Sequence, residues 1–174
     1  MMLSYLIIED RCVDIPAPKV QKAMVGTHMN VLDLSFNVDG SARGNPGEAG
    51  IGGVLRYSRG RILCLFSIQV GPLDAISAEV LAIHKACQLI FEKVSLARRC
   101  ITIFSDSKSA VGWIRSADFG NLHLVQLLHD IRQFLKSLGG LDIKYMPREL
   151  NSFADNLAKV ASSGGGDRVE WADV

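Results

Sequence analysis

The sequence predicts one α/β domain: a mixed five-stranded sheet, three strands antiparallel and two parallel, flanked by helices. Three observations carry that expectation. Between Val31 and Asp39, Leu32, Leu34, Phe36 and Val38 alternate with polar residues, and two apolar runs separated by a short turn follow, the pattern of three successive antiparallel strands. After Pro72, stretches with apolar residues every three or four positions alternate with short apolar runs, so the later strands are joined through helices and should pair in parallel with right-handed crossovers. The 174 residues, 48% hydrophobic and 21% charged, suffice for one core and short appendages but hardly for two domains.

Residues 1–30 contain Pro16 and Pro18 and no sustained period, so they read as an extension or linker before a domain at 31–163. The first strand closes at Asp39. The glycine-rich stretch Gly40 to Gly53, with Pro46 inside it, begins as a turn. Ile51–Tyr57 and Arg61–Val70, separated by Ser58, Arg59 and Gly60, form the next two strands. Asp74 can cap a helix running to about Val94, with Ile76, Val80, Ile83, Cys87 and Ile90 on its inner stripe. Cys100–Ser105 reads as a buried strand, Asp106–Ser116 as a helix, and Asn121–Ser137 as a second helix ended by Gly139 and Gly140. Leu141–Met146 supplies the last strand. Asn151 can cap a closing helix with Phe153, Leu157, Ala158 and Ala161 inward, and 164–174 reads as a flexible glycine-rich tail.

Nineteen basic against eighteen acidic side chains give a formal charge of +1, so no global field announces a polyanionic partner and any nucleic-acid affinity must be local. Cys12, Cys64, Cys87 and Cys100 are widely spaced, and three lie in apolar runs that suit reduced thiols. No histidine stands at zinc spacing from them. The opening MMLSYLII is short, stopped by Glu9 and Asp10, and lacks a basic leader, while no apolar run approaches a membrane span. The expectation is a soluble, monomeric protein of a reducing compartment, cytoplasmic or nuclear, without membrane contact.

Four acids stand in positions that need explaining. Glu79 projects from the helix side that should face the sheet, where an unpartnered carboxylate costs several kcal/mol. Asp39 and Asp106 end strands that become neighbours if the sheet is ordered as expected, and Asp155 falls in the first turn of the closing helix. Singly, each has an ordinary reading: Asp106 as a helix cap, Asp155 as a charge favoured by a helix start, Asp39 as a turn residue, Glu79 as a boundary residue with its head in solvent.

Their surroundings decide. VDGSARGNPGEAGIGGVLR at Val38–Arg56, SAEVLAIHKA at Ser77–Ala86, FSDSKSAV at Phe104–Val111 and RELNSFADNLAKVA at Arg148–Ala161 resemble the ribonuclease H family in order and spacing, across about Val31–Ser163. The wording is particularly similar to ribonuclease H domains of plant retroelement polyproteins. The resemblance implies a ribonuclease H-like fold with strand order 3-2-1-4-5. It also implies that Asp39, Glu79, Asp106 and Asp155 hold two Mg²⁺ ions, for which Mn²⁺ can substitute, with Asp39 bridging both. The implied activity is metal-dependent endonucleolytic hydrolysis of the RNA strand of an RNA–DNA hybrid. Gly44 and Asn45 match family positions that approach the minor groove, where ribose 2′-hydroxyls tell RNA from DNA; apart from the resemblance, Lys108 is a candidate phosphate contact by its charge, and Ser107 beside it a candidate substrate contact. Fusion to or association with a reverse transcriptase-like protein belongs to the same expectation.

The chain departs from the family in three places. Ala75 and Ile76 stand where an asparagine often precedes the helix glutamate, the loop before Asp155 reads YMPREL without the frequent histidine, and only Ala117–Gly120 occupies the place of a basic protrusion. Arg148 resembles the histidine's substitute in one branch of the family; it can hold phosphate or product by charge but cannot donate a proton at neutral pH. Beside the enzyme stands a second reading, a domesticated retroelement fragment that keeps the fold and the hybrid groove but cuts poorly or not at all.

Overall fold

The computed structural model describes residues 33–116 and 122–172. Its elements are β1 (Leu34–Gly44), β2 (Gly47–Tyr57), β3 (Ile62–Leu73), α1 (Ala75–Glu92), β4 (Ile101–Ser105), α2 (Lys108–Arg115), α3 (Val125–Ser137), β5 (Leu141–Tyr145), α4 (Ser152–Ser162) and β6 (Arg168–Trp171). The sheet order is β5-β4-β1-β2-β3-β6. Strands β1, β2 and β3 are antiparallel neighbours, β4 runs parallel to β1, and β5 runs parallel to β4. This is the expected α/β arrangement with one strand added at the β3 edge.

That sixth strand corrects the reading of 164–174 as a flexible tail. Gly164 and Gly166 adopt positive φ values of 82° and 81°, so they turn the chain back after α4, and Arg168–Ser67 to Trp171–Cys64 then pair antiparallel. Trp171 packs against the core with the Lys93 ammonium 4.8 Å from its ring centroid. The glycines marked a reversal, not an end to order.

A second correction concerns the glycine-rich stretch, which is strand almost throughout. Only Asn45 and Pro46 stand between β1 and β2. The physical reason is helix α4, which lies so close to β2 that a Cβ on Gly50 would stand 2.3 Å from the Ser162 nitrogen and one on Gly52 2.5 Å from the Ala158 nitrogen. Asp39 consequently sits mid-strand, opposite Gly52, and not at the strand's end. The parallel ladder with β4 stops at Asn37↔Phe104, however, so Asp39 still lies just beyond the carboxyl end of that pairing.

Helix α1 starts as the sequence indicates, with the Ser77 N–H donating to Asp74 Oδ1 at 2.7 Å. Its buried side chains, including Val80, Ile83, Cys87 and Ile90, join Phe36, Val38, Ile103, Leu128 and Ile131 in one apolar core between the sheet and α1, α2 and α3. On the other face α4 packs through Ala154, Ala158 and Ala161, while Phe153 and Leu157 are only half-buried. Cys64 and Cys87 are buried as expected, whereas Cys100 is exposed. The proposed extension at 1–30 and the connection Ala117–Gly120 lie outside the described residues, and no helix among those described is long and apolar enough to cross a membrane.

Candidate active site

Three acids converge just beyond the carboxyl end of the β1–β4 pairing. Asp39 comes from β1, Asp106 from the residue after β4, and Glu79 from the second turn of α1, and one carboxylate oxygen from each lies within 4.8 Å of the others. Asp106 is free to face this cluster because it does not cap α2. Ser107 does so, its Oγ accepting the Ala110 N–H at 3.2 Å.

The cluster is electrostatically unfavourable on its own. Burial, then the Asp106 and Asp155 charges, push the Asp39 carboxyl up to about 8, and burial, then Asp39 and Asp106, push Glu79 up to about 9. Glu79 Oε2 is buried without a hydrogen-bond partner. Buried polar atoms are nearly always satisfied, so an orphan carboxylate oxygen facing two other acids calls for a cation. An all-oxygen donor set suits a hard divalent ion rather than zinc or copper.

Asp155 stands apart from this trio. It lies in the first turn of α4, near enough to act on Asp39, but its own oxygens are held by Lys159 Nζ at 2.5 Å and by the Arg148 guanidinium at 3.4 Å. Arg148 Nε also stands 4.0 Å from Asp106 Oδ2, so this arginine spans the mouth of the cluster while remaining 72% exposed. Sequence reasoning assigned no role to Lys159, although its spacing of four residues from Asp155 on a helix was a legible signal.

Asn151 was expected as a helix cap, and it occupies that position without making a capping bond. Its amide instead donates to the Val38 carbonyl at 2.8 Å, and its Oδ1 accepts from Asn37 Nδ2 at 3.3 Å. The start of α4 is thus tied to the residue before Asp39, a bond that joins positions 113 apart in sequence and has no local signature. Among the expected substrate contacts, Gly44 and Asn45 are exposed at the tip of the β1–β2 hairpin, where Gly44 has φ 128° and so favours glycine. Lys108, at the start of α2, has its ammonium 5.0 Å from the Tyr145 ring centroid. Ser107 is engaged within the α2 start: its Oγ accepts the Ala110 N–H, its own N–H donates to Ser105 Oγ at 3.1 Å and its carbonyl accepts the Val111 N–H at 3.1 Å.

An antiparallel three-stranded sheet extended by two parallel strands, with acids at the carboxyl edge from β1, α1 and β4, defines a ribonuclease H-like domain. The chain belongs to the family described as Reverse transcriptase-like, whose model matches residues 37–161. It is 31% identical over 151 residues to an Arabidopsis thaliana protein named as a ribonuclease H protein, a match covering 87% of this chain and 24% of the relative. The chain therefore spans about a quarter of that relative's length. Among solved structures it is similar to LC11-RNase H1, isolated from compost by a metagenomic approach, with TM-score 0.71, 27% identity and coverage of 77% of this chain and 98% of that one. The same protein in complex with an RNA/DNA hybrid matches with TM-score 0.69 and 26% identity over 76% of this chain and 98% of that one.

Proposed function

We propose that this domain is a metal-dependent endoribonuclease that hydrolyses the RNA strand of RNA–DNA hybrids by a two-metal-ion mechanism. The observation that carries the reading is the convergence of Asp39, Glu79 and Asp106 around a buried Glu79 oxygen that has no partner. The hybrid-bound relative LC11-RNase H1 supports the substrate class, and the family's description supports association with a reverse transcriptase-like protein.

Asp39, Glu79 and Asp106, together with Asp155, would hold Mg²⁺ or Mn²⁺. Bound there, the metal supplies a water acidified for attack and neutralises charge building on the phosphate. The remaining work belongs to the chain. Arg148, exposed at the mouth, is placed to hold a phosphate oxygen of the RNA strand by charge-assisted bonds, or the 5′-phosphate left after cleavage. Lys108, two residues beyond Asp106 in sequence, offers a second cation, steadied over Tyr145. Gly44 and Asn45 stand five and six residues beyond Asp39 on the same strand and turn, about 17–20 Å along the chain at ~3.4 Å per residue. They would meet different nucleotides from those at the acids and read ribose 2′-hydroxyls.

A second reading, a hybrid-binding module that cuts weakly, draws on the Lys159 and Arg148 contacts that keep Asp155 outside the converging trio. Incubation of the full chain with end-labelled RNA–DNA hybrid, single-stranded RNA and duplex DNA, with and without Mg²⁺ or Mn²⁺, separates the two. The enzyme reading expects metal-dependent internal cuts in the RNA of the hybrid alone. Hybrid retention without cutting by folded protein in either metal would leave the binding module.

A further inference from the structure

The residue after Asp39 carries no side chain, and the space a side chain would fill is occupied by helix α1. A Cβ on Gly40 would stand 2.3 Å from the Ala78 carbonyl carbon, 2.4 Å from the Glu79 nitrogen and 2.6 Å from the Ala78 oxygen. All three are backbone atoms of the helix that bears Glu79, so no rotamer change could relieve the overlap. Either the helix or the strand would have to shift. Gly40 does not adopt a positive φ, and its identity is therefore a matter of clearance, not of backbone conformation.

A second contact works in the same direction. The Gly40 backbone amide acts on the Glu79 carboxylate and favours its charged form, while Oε2 of that carboxylate is buried with no partner and is part of a residue converging with Asp39 and Asp106. One backbone group thus anchors the carboxylate whose other demand is unmet, as an outer-shell partner fixes a ligand's orientation in a metal site. We infer that Gly40 is a positioning residue for Glu79: its missing side chain sets how closely α1 approaches β1, and its amide orients the Glu79 carboxylate toward the ion. The inference rests on the reading of the acid cluster as a divalent-cation site.

Mn²⁺ serves as the probe, titrated into the full chain for the parent, Gly40→Ala, Glu79→Gln and the double variant, with affinity read by water-proton relaxation. In the parent background Gly40→Ala should weaken Mn²⁺ binding by roughly ten- to a hundredfold, the scale of a lost outer-shell partner. In the Glu79→Gln background it should cost little further affinity, because the carboxylate through which it acts is gone. A purely structural glycine would lower affinity by the same factor in both backgrounds, and that result, or a folded Gly40→Ala with parental affinity, overturns the inference. Because Gly40→Ala disturbs packing as well, a second measurement leaves Gly40 in place. In ¹⁵N-labelled protein, the Gly40 amide proton should move upfield on Glu79→Ala; an unmoved resonance overturns the amide contact. If the parent itself binds no Mn²⁺, the reading of the metal site fails, while the resonance still decides whether Gly40 holds Glu79.

Discussion

The two faces of the sheet are built on different principles. The face toward α1, α2 and α3 is filled by Phe36, Val38, Leu55, Ile83, Ile90, Ile103, Leu128 and Ile131, large side chains whose burial removes apolar surface at about 25 cal/mol per Å². The face toward α4 is closed at its centre by small residues, with Val54, Phe153 and Leu157 around them. Gly50 and Gly52 meet Ala158, Ala161 and the α4 backbone, and side-chain hydrogen bonds fix the contact: Ser67 Oγ donates to the Leu157 carbonyl at 2.8 Å and Asn151 to the Val38 carbonyl at 2.8 Å. One face supplies most of the apolar burial; the other sets how closely α4 approaches the sheet. The site straddles the difference, drawing Glu79 from the first face and Asp155 with Arg148 from the second.

The largest expected effect falls where the faces meet. Asp39→Asn should lower hybrid cleavage by roughly a thousandfold or more, about 4 kcal/mol of lost transition-state stabilisation, while leaving the metal-free domain folded and at least as stable as the parent. A stable variant that cuts at the parental rate would remove Asp39 from the machinery.

Acidity gives the next effect, in the metal-free protein. Asp39 and Glu79 hold their protons up to about 8 and 9, above the 3.8 and 4.5 of free side chains. The folded state therefore binds protons that the unfolded state has released, and their contribution is fully present below about pH 4 and lost as pH rises toward 8–9. The metal-free melting temperature should fall between pH 5 and pH 9, saturating Mg²⁺ should restore it most at the alkaline end, and Glu79→Gln should flatten the dependence. Melting temperatures independent of pH would mean that the trio is not under electrostatic strain.

The contrast between faces is sharpened by a pair of substitutions read in urea melts. Gly52→Ala inserts one methyl against the α4 backbone and should cost about 1–3 kcal/mol, although it adds apolar surface. Ile83→Val removes one from the opposite core and should cost about 0.5–1.5 kcal/mol. Gly52→Ala with parental stability would show that α4 can retreat freely.

Arg148→Ala should slow turnover by roughly tenfold and up to a hundredfold, the worth of one charge-assisted contact at about 1.5–3 kcal/mol, with less effect in a single turnover. Parental steady-state and single-turnover rates would make Arg148 a surface residue only. Smallest of all, Lys159→Met should cost about 0.3–0.5 kcal/mol of stability, as for other exposed pairs four residues apart on a helix. A larger loss would point to Asp155 as a burden that Lys159 relieves.

What was legible in advance follows from the range over which each feature is encoded. Strand alternation at Leu34–Val38, the Asp74 cap and the α1 stripe are local patterns, repeated every two or three to four residues, and they stand in the structure as expected. The acids were visible because a carboxylate on an apolar stripe contradicts its surroundings and because the motifs around it are distinctive. Glycine was the ambiguous letter. At Gly164 and Gly166 it was taken for fraying and is a turn into β6, and at Gly50, in a stretch expected to begin as a turn, it is strand that with Gly52 gives clearance to a helix more than a hundred residues away. By itself, then, the sequence determined the elements other than β6, the α/β class and the identity of the candidate acids, because hydrophobic period and motif spacing are properties of neighbouring residues. Only the tertiary structure decided that three acids converge while Asp155 keeps its own cations, that Asn151 ties α4 to β1 instead of capping it, and that Gly40 brings Glu79 within reach, because each depends on how closely two elements distant in sequence approach.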